Sequence, residues 1–247
     1  MEMETRPMET IVDRKLEFHR DITQGGRRWI GELLRREGIS ILPGFMERIA
    51  LVRAFFRRYY GAPGPRVVLC GINPGRLGAG RTGLPFIDFQ ALSELMPGCR
   101  ERGRERSARF VAGVIGHFGA RRFFDGVYLT NLSWFGFERE GRNVNVDALP
   151  VAVQREIRAS LAEELKIVRP KAILPVGKAV AAGLAAMAAE GMLTWPVGTR
   201  LEHPRYCAFP SRSERARARY IGVLAAQVGP EHICPERGGP EPREPQA

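Results

Sequence analysis

Short, mostly apolar runs alternate along the chain with longer stretches of helical periodicity. Such runs of five residues occur at 66–70, 126–130 and 171–175, and each is adjacent to glycine or proline. Runs of this length are typical of strands that are buried on both faces of a parallel sheet. A fourth, shorter strand is predicted near 199–201, immediately before His203.

The stretches between these runs carry apolar residues at intervals of three and four, which indicates helices. Helices are predicted at 27–36, 46–60, around 110–118, 149–168, 177–190 and 213–227. Alternating strands and helices predict an α/β fold with a central four-stranded parallel sheet and helices on both faces. We expect one domain at 25–228, a partly disordered segment at 1–24, and a disordered tail rich in proline, glycine and charge at 229–247.

The composition fits one globular protein of the cytoplasm. A chain of 247 residues with 44% hydrophobic content can bury one sizeable core. No apolar run reaches the length that spans a bilayer, and the polar start lacks a signal-peptide pattern, so no membrane partner is expected. The cysteines form no CxxC or CxxH pair, so we expect free thiols and neither metal nor cofactor at Cys70, Cys99, Cys207 and Cys234.

The chain is strongly basic. Its net charge of +11 arises from 38 Lys and Arg against 27 Asp and Glu. This balance favours an anionic polymer such as DNA as the partner, because neutralising phosphates releases counterions. It fits an arginine-rich solvated surface equally well, so charge alone does not decide between the two.

Polar residues follow three of the predicted strands. Asn73 lies in the glycine-rich segment after the first strand, Asn131 ends the second, and His203 follows the fourth. The carboxyl ends of parallel strands meet at one edge of a sheet, where α/β folds bind their ligands. We therefore expect these three side chains to line one pocket.

Three segments carry a resemblance to a known family. Residues 71–86 resemble the first motif of the single-strand-selective monofunctional uracil-DNA glycosylases and read GINPGRLGAGRTGLPF. Residues 128–132 resemble that family's uracil-reading segment, and 202–205, which contain His-Pro, resemble its second motif. The motifs occur in the family's order, and the resemblance covers about 25–227.

The resemblance implies the uracil-DNA glycosylase fold and a monomeric enzyme of base excision repair. Such an enzyme flips a damaged base out of single- or double-stranded DNA and hydrolyses its N-glycosidic bond without a cofactor. Strand cleavage is not expected, since no lysine is placed for Schiff-base chemistry. In Asp88, and in the loop from Arg205 to Phe209, the sequence departs from the best-known branch and looks more like a bacterial side branch.

The resemblance also suggests catalytic roles. Bond cleavage leaves negative charge on the base and positive charge on the sugar, so the site needs a donor to the base and a positioned water. His203 would donate to O2 of uracil, and Asn73 would position the water or act as the turn residue before Pro74. Asp88 would activate the same water or cap a helix, and the sequence leaves both roles open.

Four residues are expected to bind the base: Ile72, Gly75, Phe86 and Asn131. The Asn131 amide would accept from N3–H and donate to O4, and cytosine has the opposite polarity at both atoms. Phe86 could stack on the base or belong to the core. Related uracil-specific enzymes carry a bulky aromatic where this chain has Gly75, so 5-hydroxymethyluracil is expected to fit.

Arginines and aromatic residues after His203 suit contacts with phosphates and a wedge in the base stack. The predicted DNA-binding residues are Arg205, Tyr206, Phe209 and Arg212. The alternative function is a non-catalytic α/β module that binds a nucleotide or nucleic acid. However, the glycine-rich segment contains neither GxGxxG nor GxxxxGK[ST], so it lacks both phosphate-loop fingerprints. Base release from a uracil-containing oligonucleotide would separate the two functions.

Overall fold

The computed structural model describes residues 7–61, 64–103 and 105–229. The predicted tail, apart from Gly229, lies outside the described residues, as does Cys234. The other three cysteines are free thiols, as expected. No helix in the described part of the chain is long and apolar enough to cross a membrane.

Strands in the described residues form two three-stranded sheets. Their bounds are β1 Ser40–Ile41, β2 Val67–Gly71, β3 Val127–Asn131, β4 Phe137–Arg139, β5 Arg142–Val144 and β6 Ala172–Pro175. The central sheet is parallel, with the order β3-β2-β6. The other sheet is antiparallel, has the order β1-β4-β5, and was not predicted.

The central sheet has three strands, so the prediction of a fourth strand near 199–201 was wrong. The chain there meets β6 only at two isolated parallel bridges, which Val197 and Leu201 make. At the first bridge, Ile173 N–H donates to the Pro196 carbonyl oxygen and Gly198 N–H donates to the Ile173 carbonyl oxygen, but the pairing does not continue as a ladder to Leu201. The segment nevertheless runs beside β6 and leads the chain to the carboxyl edge of the sheet.

The predicted helices are present, with small shifts at their ends. The described residues also form α-helices that were not predicted. The bounds of all these α-helices are α1 Pro7–Gln24, α2 Arg28–Arg36, α3 Gly44–Glu47, α4 Ile49–Tyr59, α5 Ala79–Thr82, α6 Phe89–Leu95, α7 Arg106–Phe118, α8 Ala120–Gly126, α9 Val151–Val168, α10 Lys178–Ala189, α11 Pro204–Cys207 and α12 Pro210–Val228. Every residue of β2, β3 and β6 is buried, as expected for a sheet covered on both faces. Helices α8, α10 and α12 contact its strands.

Helix α1 packs against α2, α4 and α9, so residues 7–24 belong to the same packed unit as the domain predicted to begin at residue 25. Its residues Ile11 and Val12 are fully buried. The Lys15 Nζ atom lies 2.8 Å from Glu164 Oε2 of α9, and both side chains are almost completely buried. The other oxygen of Glu164 accepts hydrogen bonds from the hydroxyl groups of Thr130 and Tyr128 on β3. This network ties the first helix to the strand that ends in Asn131.

Candidate active site

A cleft of about 880 Å³ opens at the carboxyl ends of the parallel strands. The loop after β2, the last residue of β3, residues at β5, the chain after β6 and the chain after Leu201 line it. It brings together most of the residues predicted for the site, namely Ile72, Asn73, Gly75, Phe86, Asn131, His203, Arg205, Tyr206 and Arg212. Asp88 and Phe209 are not among its lining residues. The convergence of three distant segments follows from the parallel sheet, as the sequence predicted.

One wall of the cleft is formed where β2 and β3 end side by side. Gly71 pairs with Asn131 in the ladder, and the Asn131 side chain is only 4% exposed. Within the described residues, the Asn131 amide group has no hydrogen-bond partner. A Cβ added to Gly71 would lie 2.7 Å from Phe86 Cζ and closer still to Asn131 Oδ1. The absence of a side chain at Gly71 therefore lets the phenyl ring and the buried amide meet at the cleft.

Phe86 reaches this position through an unusual backbone conformation. Its φ angle is +63°, in the left-handed region that bulky residues seldom adopt. The preceding turn is held by Thr82, whose hydroxyl accepts from Leu84 N–H and donates to the Ile87 carbonyl oxygen, 2.6 Å away. Residues in such conformations cluster at functional sites, where surrounding contacts offset the strain.

Asn73 anchors its loop to the antiparallel sheet. Its Oδ1 accepts from Val146 N–H at 3.1 Å, and its Nδ2 donates to the Val144 carbonyl oxygen at 3.2 Å and, more distantly, to that of Pro74. An amide oxygen has two lone pairs, so Oδ1 can still accept one hydrogen bond from a water molecule. Asn73 therefore holds its loop in place, and its Oδ1 can still accept the hydrogen bond that the predicted catalytic role requires.

His203 is held in a defined protonation state. It is the N-cap of α11, and its Nδ1 accepts a hydrogen bond from the Arg205 backbone N–H at 3.2 Å. A ring nitrogen that accepts carries no proton, so the neutral ring has its hydrogen on Nε2. Burial and, secondarily, the charge of Arg205 lower the pKa of His203 below its usual value. At neutral pH His203 is therefore a neutral donor at the cleft.

Asp88 is the N-cap of α6. Its Oδ1 accepts from Ala91 N–H at 2.9 Å, and its Oδ2 accepts from Glu105 N–H at 2.6 Å. The residue is buried, so both oxygens are directed at backbone groups and not into the cleft. Of the two roles that the sequence left open, the structure shows the helix cap.

The cleft also contains polar residues that the sequence analysis did not single out. Glu105, Ser107, Asn143 and Asn145 line it. Glu105 lies in the densely charged run at 100–109, where the sequence does not distinguish one carboxylate from another. Asn143 lies within β5 and Asn145 directly follows it, and this strand is too short to show a strand pattern. Only the tertiary structure therefore distinguishes these side chains.

Aromatic and basic side chains surround the opening. Tyr206 and Phe209 are 62% and 47% exposed, and Arg205 and Arg212 are exposed as well. Large exposed aromatics beside arginines are suited to contacts with bases and phosphates. No group of three or more His, Cys, Asp or Glu in the described residues could hold a metal ion.

Comparison with known proteins gives a family match and similar solved structures. The family model of the Uracil DNA glycosylase superfamily matches residues 58–224. The crystal structure of wild-type SMUG2 from Pedobacter heparinus is similar to this structure, with a TM-score of 0.67 and 27% sequence identity. That alignment covers 76% of this chain and 88% of the other. No curated protein matches the chain.

Proposed function

The chain belongs to the uracil DNA glycosylase superfamily, and we propose how the residues of its cleft carry out and restrict the reaction. The protein is a uracil-DNA glycosylase of base excision repair, similar to the SMUG-type enzymes. Its DNA substrate provides the anionic partner that the basic composition favoured. The observation that carries the proposal is the buried residue Asn131 at the cleft, whose amide has no hydrogen-bond partner among the residues that the structure describes.

The proposed chemistry begins when a flipped uracil lies against Phe86 and Asn131. As the bond between C1′ and N1 breaks, the electron pair leaves with the base and its charge spreads to O2. His203 donates from Nε2 to O2 and so stabilises the leaving base. Asn73 Oδ1 accepts a hydrogen bond from the water that attacks C1′; the water oxygen bonds to C1′, and the proton that the water loses neutralises the departing uracil anion. No cofactor takes part.

Asn131 is proposed to select uracil. Its amide can accept from N3–H and donate to O4, whereas cytosine would leave these buried groups unpaired. We expect Asn131→Ala to lower the single-turnover release of uracil by roughly 10²-fold or more. Asn131→Asp should also weaken uracil release and raise the ratio of cytosine to uracil released. An alanine variant with full activity and unchanged selectivity would disprove the assignment.

The exposed residues around the opening are proposed to contact DNA. Arg205 and Arg212 would bind phosphates, while Tyr206 and Phe209 would support the bases next to the flipped nucleotide. Each lost phosphate contact should reduce the slope of log K against log salt by about one. If the Arg212→Ala variant had the wild-type slope, Arg212 would not contact a phosphate. We further propose a monomer that acts on single- and double-stranded DNA.

Base release without strand cleavage is also proposed. Lys178 lies at the edge of the cleft but is exposed, so its amine keeps the ordinary hydration of a surface lysine. A Schiff-base lysine is usually desolvated, which makes it nucleophilic. Uracil-containing oligonucleotides should therefore yield intact strands with abasic sites. Cleaved strands without added alkali would contradict the proposal.

A further inference from the structure

Glu105 places a carboxylate in the cleft beside the glycine-rich loop. It precedes α7, and its backbone N–H is fixed by Asp88. A Cβ added to Gly75 would lie 2.9 Å from Glu105 Oε1, and one added to Gly78 would overlap with Oε2. The two glycines therefore leave the space that the carboxylate occupies. The space beside Gly75, expected from the sequence to be open, has a charged group at its border.

This carboxylate accepts no hydrogen bond and forms no close ion pair within the described part of the chain, although the charge of Arg205 is near enough to act on it. The Asn143 amide is close by, since its Nδ2 lies 3.5 Å from the same Cβ position at Gly75. Asn143 Oδ1 accepts from Arg76 N–H, which leaves Nδ2 unpaired among these residues. Burial and, secondarily, the negative charge of Asp88 raise the pKa of Glu105, and the positive charge of Arg205 opposes them with a smaller effect.

The sheet order indicates which edge of the base faces this group. The loop after β2 bends away from β6, because Ile72 O accepts from Ser133 N–H and Asn73 bonds to the end of β5. His203 follows the segment 197–201, which runs beside β6 on the side that faces away from β2. A uracil with O2 at His203 and its N3–O4 edge at Asn131 has C5 across the ring from C2. In this orientation the C5 edge would face Gly75 and the carboxylate.

We infer that Glu105 determines specificity at C5, accepting a substituent that donates a hydrogen bond and rejecting a methyl group. This inference rests on the proposed function. A 5-hydroxymethyl group can donate its O–H to the carboxylate, and a hydrogen bond to a charged group is stronger than one between neutral groups. A thymine methyl group would remove water from the carboxylate and offer no hydrogen bond in return. Uracil has no substituent at C5, so it leaves room for water to solvate the carboxylate.

The experiment compares release ratios from matched oligonucleotides that contain uracil, 5-hydroxymethyluracil or thymine opposite guanine. We expect Glu105→Ala to lower the release of 5-hydroxymethyluracil relative to uracil by about 10- to 100-fold. The release of thymine relative to uracil should rise. Glu105→Gln keeps the shape and one acceptor but loses the charge, so the first ratio should fall by about five-fold. Ratios make the result independent of a general loss of activity.

A matched control is Glu202→Gln. Glu202 also lines the cleft, but its side chain is 55% exposed and 4.0 Å from Arg219. Its variant should keep both ratios. The inference would be overturned if Glu105→Ala had the wild-type ratios. If Glu105→Ala released no base at all, wild-type ratios in Glu105→Gln would overturn it instead. Failure of the wild-type protein to release uracil would instead refute the proposed function.

Discussion

Gly71→Ala tests the wall of the cleft with one methyl group. Gly71 is buried at the end of β2, and its φ angle lies outside the left-handed region, so alanine can adopt the same backbone. Its Cβ would lie 2.7 Å from Phe86 Cζ and closer still to Asn131 Oδ1. Both contacts are about 1 Å or more shorter than normal van der Waals separations. The ring and the amide must therefore move away from the positions in which they would meet a base.

The size of the effect follows from this displacement. A shift of about 1 Å in a substrate-positioning group can reduce the reaction rate by about 10²-fold. The extra methyl group overpacks a buried site, which typically lowers the free energy of unfolding by about 1–3 kcal/mol. In a chain of this size, this loss corresponds to a fall in melting temperature of roughly 2–12 °C. The variant should consequently remain folded at 25 °C and lose most of its uracil release.

The assay is single-turnover release of uracil at saturating enzyme, together with the melting temperature. Gly222→Ala in α12 is the matched control, because nothing lies within 4 Å of a Cβ added there. This variant should keep its activity and gain up to about 1 kcal/mol of stability, since alanine favours a helix. If folded Gly71→Ala released uracil within three-fold of the wild-type rate, on the order of 0.7 kcal/mol, the description of the base-binding wall would be wrong.

Three further predictions concern buried charges and the histidine. Burial and, secondarily, the charge of Arg205 lower the pKa of His203 below the ordinary histidine value of 6.5, so protonation of His203 should change the rate only at a lower pH than an ordinary histidine would. A titration with a midpoint at or above pH 6.5 that is lost in His203→Ala would contradict the neutral donor. Asp88→Asn can no longer accept both backbone hydrogen bonds, so it should lower the free energy of unfolding in urea by about 1–2 kcal/mol. If the activation free energy of base release instead rose by more than the free energy of unfolding fell, the catalytic role would be favoured. Lys15→Met leaves Glu164 buried without its cation, so it should lower the free energy of unfolding by about 3–5 kcal/mol. The additional change Glu164→Gln should restore most of this stability. A loss below about 1 kcal/mol in Lys15→Met would refute the prediction.

The sequence predicted the parts of the site that depend on local pattern. Apolar runs located the three parallel strands, and the residues after each run were expected at one edge of the sheet. This placed Asn73, Asn131 and His203 in one cleft correctly, although the fourth strand is only a pair of bridges. The antiparallel sheet was missed because its strands have two or three residues, too few for an alternating pattern to be recognised.

Two carboxylates, Asp88 outside the lining of the cleft and Glu105 within it, show most clearly what local pattern cannot provide. Asp88 stands directly after the first motif, and this position suggested chemistry. Glu105 lies 17 residues later in a charged run, and nothing in the sequence marks it. Asp88 accepts the N–H of Glu105 and caps α6, so the residue near the motif fixes the backbone of the residue that reaches the cleft. Gly75 and Gly78 make room for its side chain. The carboxylate in the cleft therefore depends on three separate parts of the chain, and its position follows from their packing.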